Sequence, residues 1–165
     1  MILIALGSSL TFCGRTSPQL LDAATRSLAR LGRVARRSRI YRSPAWPDPS
    51  DPPFFNACVA LDTALSPQAL LAAMQGIEAG FGRVRTRRFG PRTLDLDLID
   101  YCSLVATWSG PPTLTLPHPE AHRRDFVLRP LVEVAPDWKR PGTGENVQVL
   151  LGKLETTTTP WDGEG

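Results

Sequence analysis

The sequence predicts an α+β domain, with helices packed on one face of a mainly antiparallel sheet. Strand-like and helix-like segments alternate in the order β-α-β, β-α-β, and both long helical segments are opened by a Ser-Pro pair. The third observation is size. At 165 residues, with 42% apolar and 21% charged positions, the chain suits one globular domain with a sizeable core.

Each element follows in order. Met1–Leu6 is an apolar run ending in Gly-Ser-Ser, a buried strand followed by a turn. Ser17-Pro18, with Leu20, Leu21, Ala24, Leu28 and Leu31, predicts an amphipathic helix that Gly32 ends. Residues 33–42 alternate loosely around Val34, Ile40 and Tyr41 and predict a strand. Residues 43–53 carry five prolines, so they predict a stiff loop. Residues 54–61 form a further strand. Ser66-Pro67 then opens a helix through Leu70, Leu71, Met74 and Ile77. Residues 80–92 are a glycine- and arginine-rich loop. Residues 93–101 and 113–116 are strands, and 124–134 a third helix. The expected architecture is a ferredoxin-like sandwich with mobile loops over its active site. A single domain is expected over residues 1–154, with residues 155–165, four threonines in a row among them, as a disordered tail.

Composition excludes several classes. The longest apolar run is far short of the roughly 20 residues of a membrane helix, and no secretory leader pattern is visible, so a cytoplasmic protein is expected. Cys13, Cys58 and Cys102 make no C-x-x-C pair, which argues against a disulfide framework or zinc ribbon. The net charge of +3 hides blocks of +7, −4, +5 and −5 over residues 1–42, 43–82, 83–92 and 93–165. Such segregation suggests a polyanionic partner.

The chemistry concentrates in Leu94-Asp95-Leu96-Asp97-Leu98. On a strand, Asp95 and Asp97 share one face about 7 Å apart while the leucines enter the core. Two such carboxylates repel unless a cation lies between them, and Mg²⁺ prefers one or two carboxylates with water and substrate phosphates. Just before them, residues 82–92 carry five arginines between glycines. Guanidinium forks bind phosphate bidentately. A basic loop beside a two-carboxylate platform predicts nucleoside triphosphate chemistry. Neither a P-loop nor a dinucleotide-binding glycine motif is present.

Residues 78–101, with G-P-R-T-L-D-L-D at 90–97, strongly resemble the signature of the 6-hydroxymethyl-7,8-dihydropterin pyrophosphokinase family. Ala5-Leu6-Gly7-Ser8-Ser9-Leu10, Tyr41-Arg42-Ser43-Pro44, residues 51–57, Leu116-Pro117-His118-Pro119 and residues 124–131 resemble other segments of that family in the same order. The resemblance covers about residues 1–138. It implies transfer of diphosphate from ATP to the pterin hydroxymethyl group, yielding AMP and the pterin diphosphate in folate biosynthesis. It also implies that Asp95 and Asp97 hold two Mg²⁺ ions, and that Arg83 and Arg92 neutralise charge on the transferred group. Gln75, Glu78, Arg85, His118 and Arg124 would help hold ATP. Phe54 and Phe126 would sandwich the pterin, whose edge would be read by Asn56 with backbone near Gly7, Ser43 and Pro44. Stacking suits a flat heterocycle, and Asn supplies both donor and acceptor. The resemblance further implies a monomer or weak homodimer, small-molecule partners only, and no nucleic acid or membrane.

The sequence departs from the family pattern at Ser9, where Asn is usual, and at Phe89, where Trp is usual. Trp46 is bulkier than the usual aliphatic residue, and Phe54 stands where Tyr is also common. A paralogue acting on a modified pterin, marked by Ser9, Trp46 and Phe89, is therefore an alternative. A basic ferredoxin-like RNA-binding module is another, but it leaves Asp95 and Asp97 unexplained, since paired acids repel a phosphate backbone.

Overall fold

In the computed structural model, residues 1–45, 48–84 and 90–163 are described. The elements run β1 (Ile2–Ser8), α1 (Ser17–Leu28), β2 (Arg33–Arg37), β3 (Tyr41–Ser43), β4 (Phe54–Asp62), α2 (Pro67–Gly80), β5 (Asp95–Tyr101), β6 (Ala106–Trp108), β7 (Leu114–Leu116), α3 (Asp125–Val134), α4 (Val147–Gly152) and β8 (Thr159–Pro160). The main sheet is ordered β5-β1-β4-β3-β8, with β2 also on β4, and every pairing in it is antiparallel. This bears out the expected sheet of antiparallel strands carrying helices.

Alternation along β1 explains the layering. Ile2, Ile4 and Leu6 join Leu21, Leu28, Leu70 and Met74 of α1 and α2 on one face, where Leu94, Leu96 and Leu98 also pack. Leu3 and Ala5 face the other way, with Cys58 and Ala60 of β4, and meet Val127, Leu131 and Leu150 of α3 and α4. Helices therefore cover both faces, not one. The second layer is α3, which the sequence marks, and α4, which at six residues is too short for a periodic pattern.

Local chemistry sets the helix starts. The Gln19 side chain accepts from the Thr16 N–H at 3.0 Å, and Ser66 Oγ accepts from the Ala69 N–H at 3.3 Å. The strand expected over residues 33–42 is two strands. Ser38 interrupts it, its N–H donating to Cys58 O at 3.0 Å and its hydroxyl accepting from the Cys58 N–H at 2.9 Å, so β2 and β3 pair with different halves of β4.

Part of the segment expected to be a disordered tail, residues 159–161, is built into the sheet edge. Thr159 pairs with Arg42 and Pro160 with Tyr41, and the Trp161 N–H donates to Ile40 O at 2.9 Å. The Trp161 ring meets Phe55 edge-on, centroids 5.7 Å apart. No helix among the described residues is long and apolar enough to cross a membrane.

Candidate active site

A cavity of about 760 Å³ opens on the α3 face of the sheet, at the ends of β1, β4 and β5. The register places its floor. Gly7 lies opposite Asp95 on one side and Asn56 on the other, and Ala5 lies opposite Asp97. A Cβ on Gly7 would stand 3.5 Å from Asn56 Oδ1 and 3.8 Å from Asp95 Cβ. The missing side chain thus leaves open floor between carboxylate and amide.

Asp95 is the hub of the charged half. Its Oδ1 lies 2.8 Å from Arg83 Nη1 and its Oδ2 2.6 Å from Arg92 Nη1. Arg92 is fixed by Ser9, whose hydroxyl accepts the Arg92 N–H at 3.1 Å and whose own N–H donates to Arg92 O at 2.9 Å. The serine that departs from the family pattern thus braces a site arginine. Asp97 stands more openly, with Arg124 Nη1 and His118 Nε2 each 3.9 Å away. Burial, and then the Asp95 charge, push the Asp97 carboxyl up to about 6. The His118 Nδ1 accepts the Glu120 N–H at 3.2 Å. Burial, followed by the Arg124 charge, lowers the imidazole pKa, so the neutral ring presents Nε2–H toward Asp97.

Arg83 reaches the site through the end of α2. Gly82 has φ +69°, and a Cβ there would overlap the Phe12 ring. The Gly82 N–H donates to Ala79 O at 3.0 Å and the Arg83 N–H to Glu78 O at 3.1 Å, a Schellman turn that folds Arg83 back over Glu78. Arg83 pairs there with the Glu78 carboxylate. Glu78 is buried, 4% exposed, and also accepts the Leu96 N–H of β5 at 2.7 Å. Burial pushes its carboxyl up to about 7, against the pull of the Leu96 N–H and of Arg83.

The apolar half holds Phe54 at the start of β4 and Phe126 in the first turn of α3, both half-buried. Asn56 is buried and donates from Nδ2 to Ser43 Oγ at 2.9 Å, while Pro44 and Ala45 continue the wall. The Arg124 guanidinium lies 5.9 Å from the Phe126 ring centre.

The structure therefore gathers Gly7, Ser43, Pro44, Phe54, Asn56, Arg83, Arg92, Asp95, Asp97, His118, Arg124 and Phe126 around one cavity. It does not bring Gln75 or Glu78 to the lining: Gln75 is half-buried on α2, and Glu78 sits beneath Arg83. Arg85, Trp46 and Phe89 lie outside the described residues. Glu120, Arg123 and Asp125, with Leu154, Glu155 and Thr157 from the end of the chain, also line the cavity and had no expected role. Arg123 and Asp125 flank the expected Arg124, a signal that adjacency offered. The C-terminal residues carried none. Among the described residues no group of three or more His, Cys, Asp or Glu is placed to hold a metal by itself.

Carboxylates faced by arginines, beside an aromatic pocket on an antiparallel sheet, define an α+β phosphotransferase. Comparison with known proteins makes the class specific. The profile of the 7,8-dihydro-6-hydroxymethylpterin-pyrophosphokinase (HPPK) family matches residues 3–136, and the chain belongs to that family. It is 42% identical over 143 residues to a 2-amino-4-hydroxy-6-hydroxymethyldihydropteridine pyrophosphokinase of Synechocystis sp., covering 84% of this chain and 71% of the relative. It is 41% identical over 153 residues to the protein of that name in Methylorubrum extorquens, 92% of each. Among solved structures, a Plasmodium falciparum HPPK-DHPS has a similar fold, with a TM-score of 0.75 at 11% identity over 92% of this chain. The chain spans 43% of that larger protein.

Proposed function

We propose that the chain transfers diphosphate from ATP to the hydroxymethyl oxygen of 6-hydroxymethyl-7,8-dihydropterin in folate biosynthesis. The pterin oxygen attacks the β-phosphorus, the bond to the α–β bridging oxygen breaks, AMP leaves, and the alcohol proton passes to solvent. The carrying observation is one cavity that joins Asp95, Asp97, Arg83, Arg92 and Arg124 to Phe54, Asn56 and Phe126.

Two Mg²⁺ ions are assigned to Asp95 and Asp97, whose same-face carboxylates suit a hard cation, as does the upward push on Asp97 from its neighbour's charge. Bound there, the metal would offset phosphate charge and align the polyphosphate. The remaining work falls to the chain. Arg83 and Arg92 rest on Asp95. Phosphate competes with Asp95 for those forks, so they are positioned to neutralise the transferred group. Arg124 and His118, at the Asp97 end, hold ATP, joined by Arg85. Gln75 does not line the cavity, and Glu78 acts through Arg83. Phe54 and Phe126 stack the pterin, and Asn56, with Gly7, Ser43 and Pro44, reads its edge. Alignment and charge neutralisation supply most of the rate, because no covalent intermediate is needed.

The pyrophosphokinase domain, expected over residues 1–154, extends in this reading through β8. A cytoplasmic location rests on the composition, and a monomer or weak homodimer on the family resemblance. The test incubates the protein with ATP, Mg²⁺ and the hydroxymethyldihydropterin and measures AMP against ADP and phosphate. AMP in step with pterin diphosphate, lost in Asp97→Ala, is expected. A folded, ATP-binding protein that releases no AMP would overturn the reading.

A further inference from the structure

Residues 156–158 and the start of α3 form a clasp that the reaction does not explain. Asp125 is the first residue of α3, 9% exposed, and its Oδ2 accepts three hydrogen bonds from one short segment. The donors are the Thr157 N–H at 2.8 Å, the Thr158 N–H at 3.0 Å and the Thr157 hydroxyl at 3.1 Å. One turn further along α3, Arg129 Nη2 donates to the Thr156 hydroxyl at 3.1 Å. Beyond the clasp, β8 adds to the edge of β3 and Trp161 packs on Phe55.

Three features tie the clasp to the site. Asp125 stands between Arg124 and Phe126, both of which line the cavity. The strand that β8 edges, β3, leads directly into Ser43 and Pro44 on the opposite wall. Leu154, Glu155 and Thr157 themselves line the cavity. A segment fastened at both ends of the pterin half therefore forms part of its wall. A carboxylate at a helix N-terminus is already favoured by the helix dipole, and three N–H and O–H donors lock its rotamer and with it the first turn.

From this we infer that residues 154–161 are the outer wall of the pterin pocket and that Asp125 is a positioning residue, holding Phe126 through its grip on Thr157. The inference rests on the pterin reading of Phe54, Asn56 and Phe126. It assigns the segment to pterin affinity and leaves the nucleotide half to Asp97, His118 and Arg124.

The test is made in the full chain. Thr157→Pro removes the N–H and the hydroxyl at an exposed position, Thr157→Val removes the hydroxyl alone, Asp125→Ala removes the acceptor, and Asp125→Asn keeps one. Pterin binding is measured by fluorescence titration in the presence of Mg²⁺ and a non-hydrolysable ATP analogue, and the analogue's own affinity and the melting temperature are measured alongside. The expected result is a pterin Kd raised about tenfold in Thr157→Pro and Asp125→Ala. Thr157→Val and Asp125→Asn should be raised less, and analogue affinity should stay within twofold. A lowered melting temperature with unchanged pterin Kd would reduce the clasp to a structural tie and overturn the inference. So would equal loss of analogue and pterin binding. Because this readout is binding and the functional test is AMP release, a wild-type chain that binds pterin without turnover faults the reaction assignment alone.

Discussion

Glu78→Gln separates a buried carboxylate kept for stability from one kept for position. Glu78 lies under Arg83 with its side chain 6% exposed, and burial raises its carboxyl from the ordinary 4.5 to about 7. A carboxyl raised on folding binds its proton more tightly in the native state. Its stabilising contribution is complete below about 4.5 and is lost as pH rises through about 7. At about 1.4 kcal/mol per pH unit, the loss across that window is about 3 kcal/mol. Glutamine has no such slope, yet its amide oxygen can still accept the Leu96 N–H. The melting temperature of the variant relative to wild type should therefore climb between pH 4.5 and pH 8. At about 2–4 °C per kcal/mol for a chain of this size, the climb is roughly 6–12 °C. Catalysis should move the other way above about pH 7, where the wild-type carboxylate is charged: kcat falls there because Arg83 loses its charged anchor and keeps only Asp95, and the difference shrinks as pH drops below that value. The assays are thermal melts by circular dichroism over the pH range and initial rates of AMP release. A melting difference that stays constant within 1 °C across the range would refute the reasoning, as would unchanged kcat above about pH 7.

Two further outcomes test the two halves of the site. Asn56→Ala leaves the buried Ser43 hydroxyl without its donor at 2.9 Å, which should cost about 1–3 kcal/mol in a urea melt and weaken pterin binding while ATP binding stays near wild type. The Asp97 carboxyl, pushed up to about 6, takes on a proton as pH falls through that value and then competes with metal. The Mg²⁺ concentration for half-maximal activity should be several-fold higher at pH 5.5 than at pH 8, and an equal requirement at both would count against metal on Asp97.

Much of this was legible because the site is built from strand alternation and turns. Leu94 to Leu98 announce a strand with one apolar and one acidic face, and the leucines are buried as the pattern requires. Ser-Pro pairs mark both long helices, with Ser66 capping α2 through its hydroxyl and the residue before the other pair, Thr16, capping α1. What escaped depends on contacts distant in sequence. Thr156 to Thr158 have no apolar alternation, and their order comes from Asp125 and Arg129. The place of Glu78 depends on Gly82, which reverses the chain so that a residue five positions on returns over it. The β6–β7 hairpin uses three-residue strands, of which the sequence marks β7 and not β6.

The charge blocks that suggested a polyanionic partner acquire a different cause in three dimensions. Antiparallel pairing of β2 with β4 sets Arg33 opposite Asp62, and the two side chains meet at 2.6 Å. Arg37 pairs with Asp22 of α1, and Arg39 with Glu133 of α3 at 2.7 Å. A block of arginines early in the chain thus finds carboxylates delivered by other elements. Such exposed pairs add little stability, but they cancel the field that a run of like charge would project. A non-specific nucleic-acid surface needs the opposite, a continuous basic track interleaved with stacking aromatics. At the cavity the cancellation is incomplete by construction. Arg83 and Arg92 share Asp95 at close range, whereas Arg124 stands 3.9 Å from Asp97. Phe54 and Phe126 line the same pocket, which is sized for a small molecule. Positive charge is neutralised in these pairs of β2 and its flank and stands open beside Asp97, where phosphate would be handled, a distribution that suits a diphosphotransferase better than an RNA-binding module.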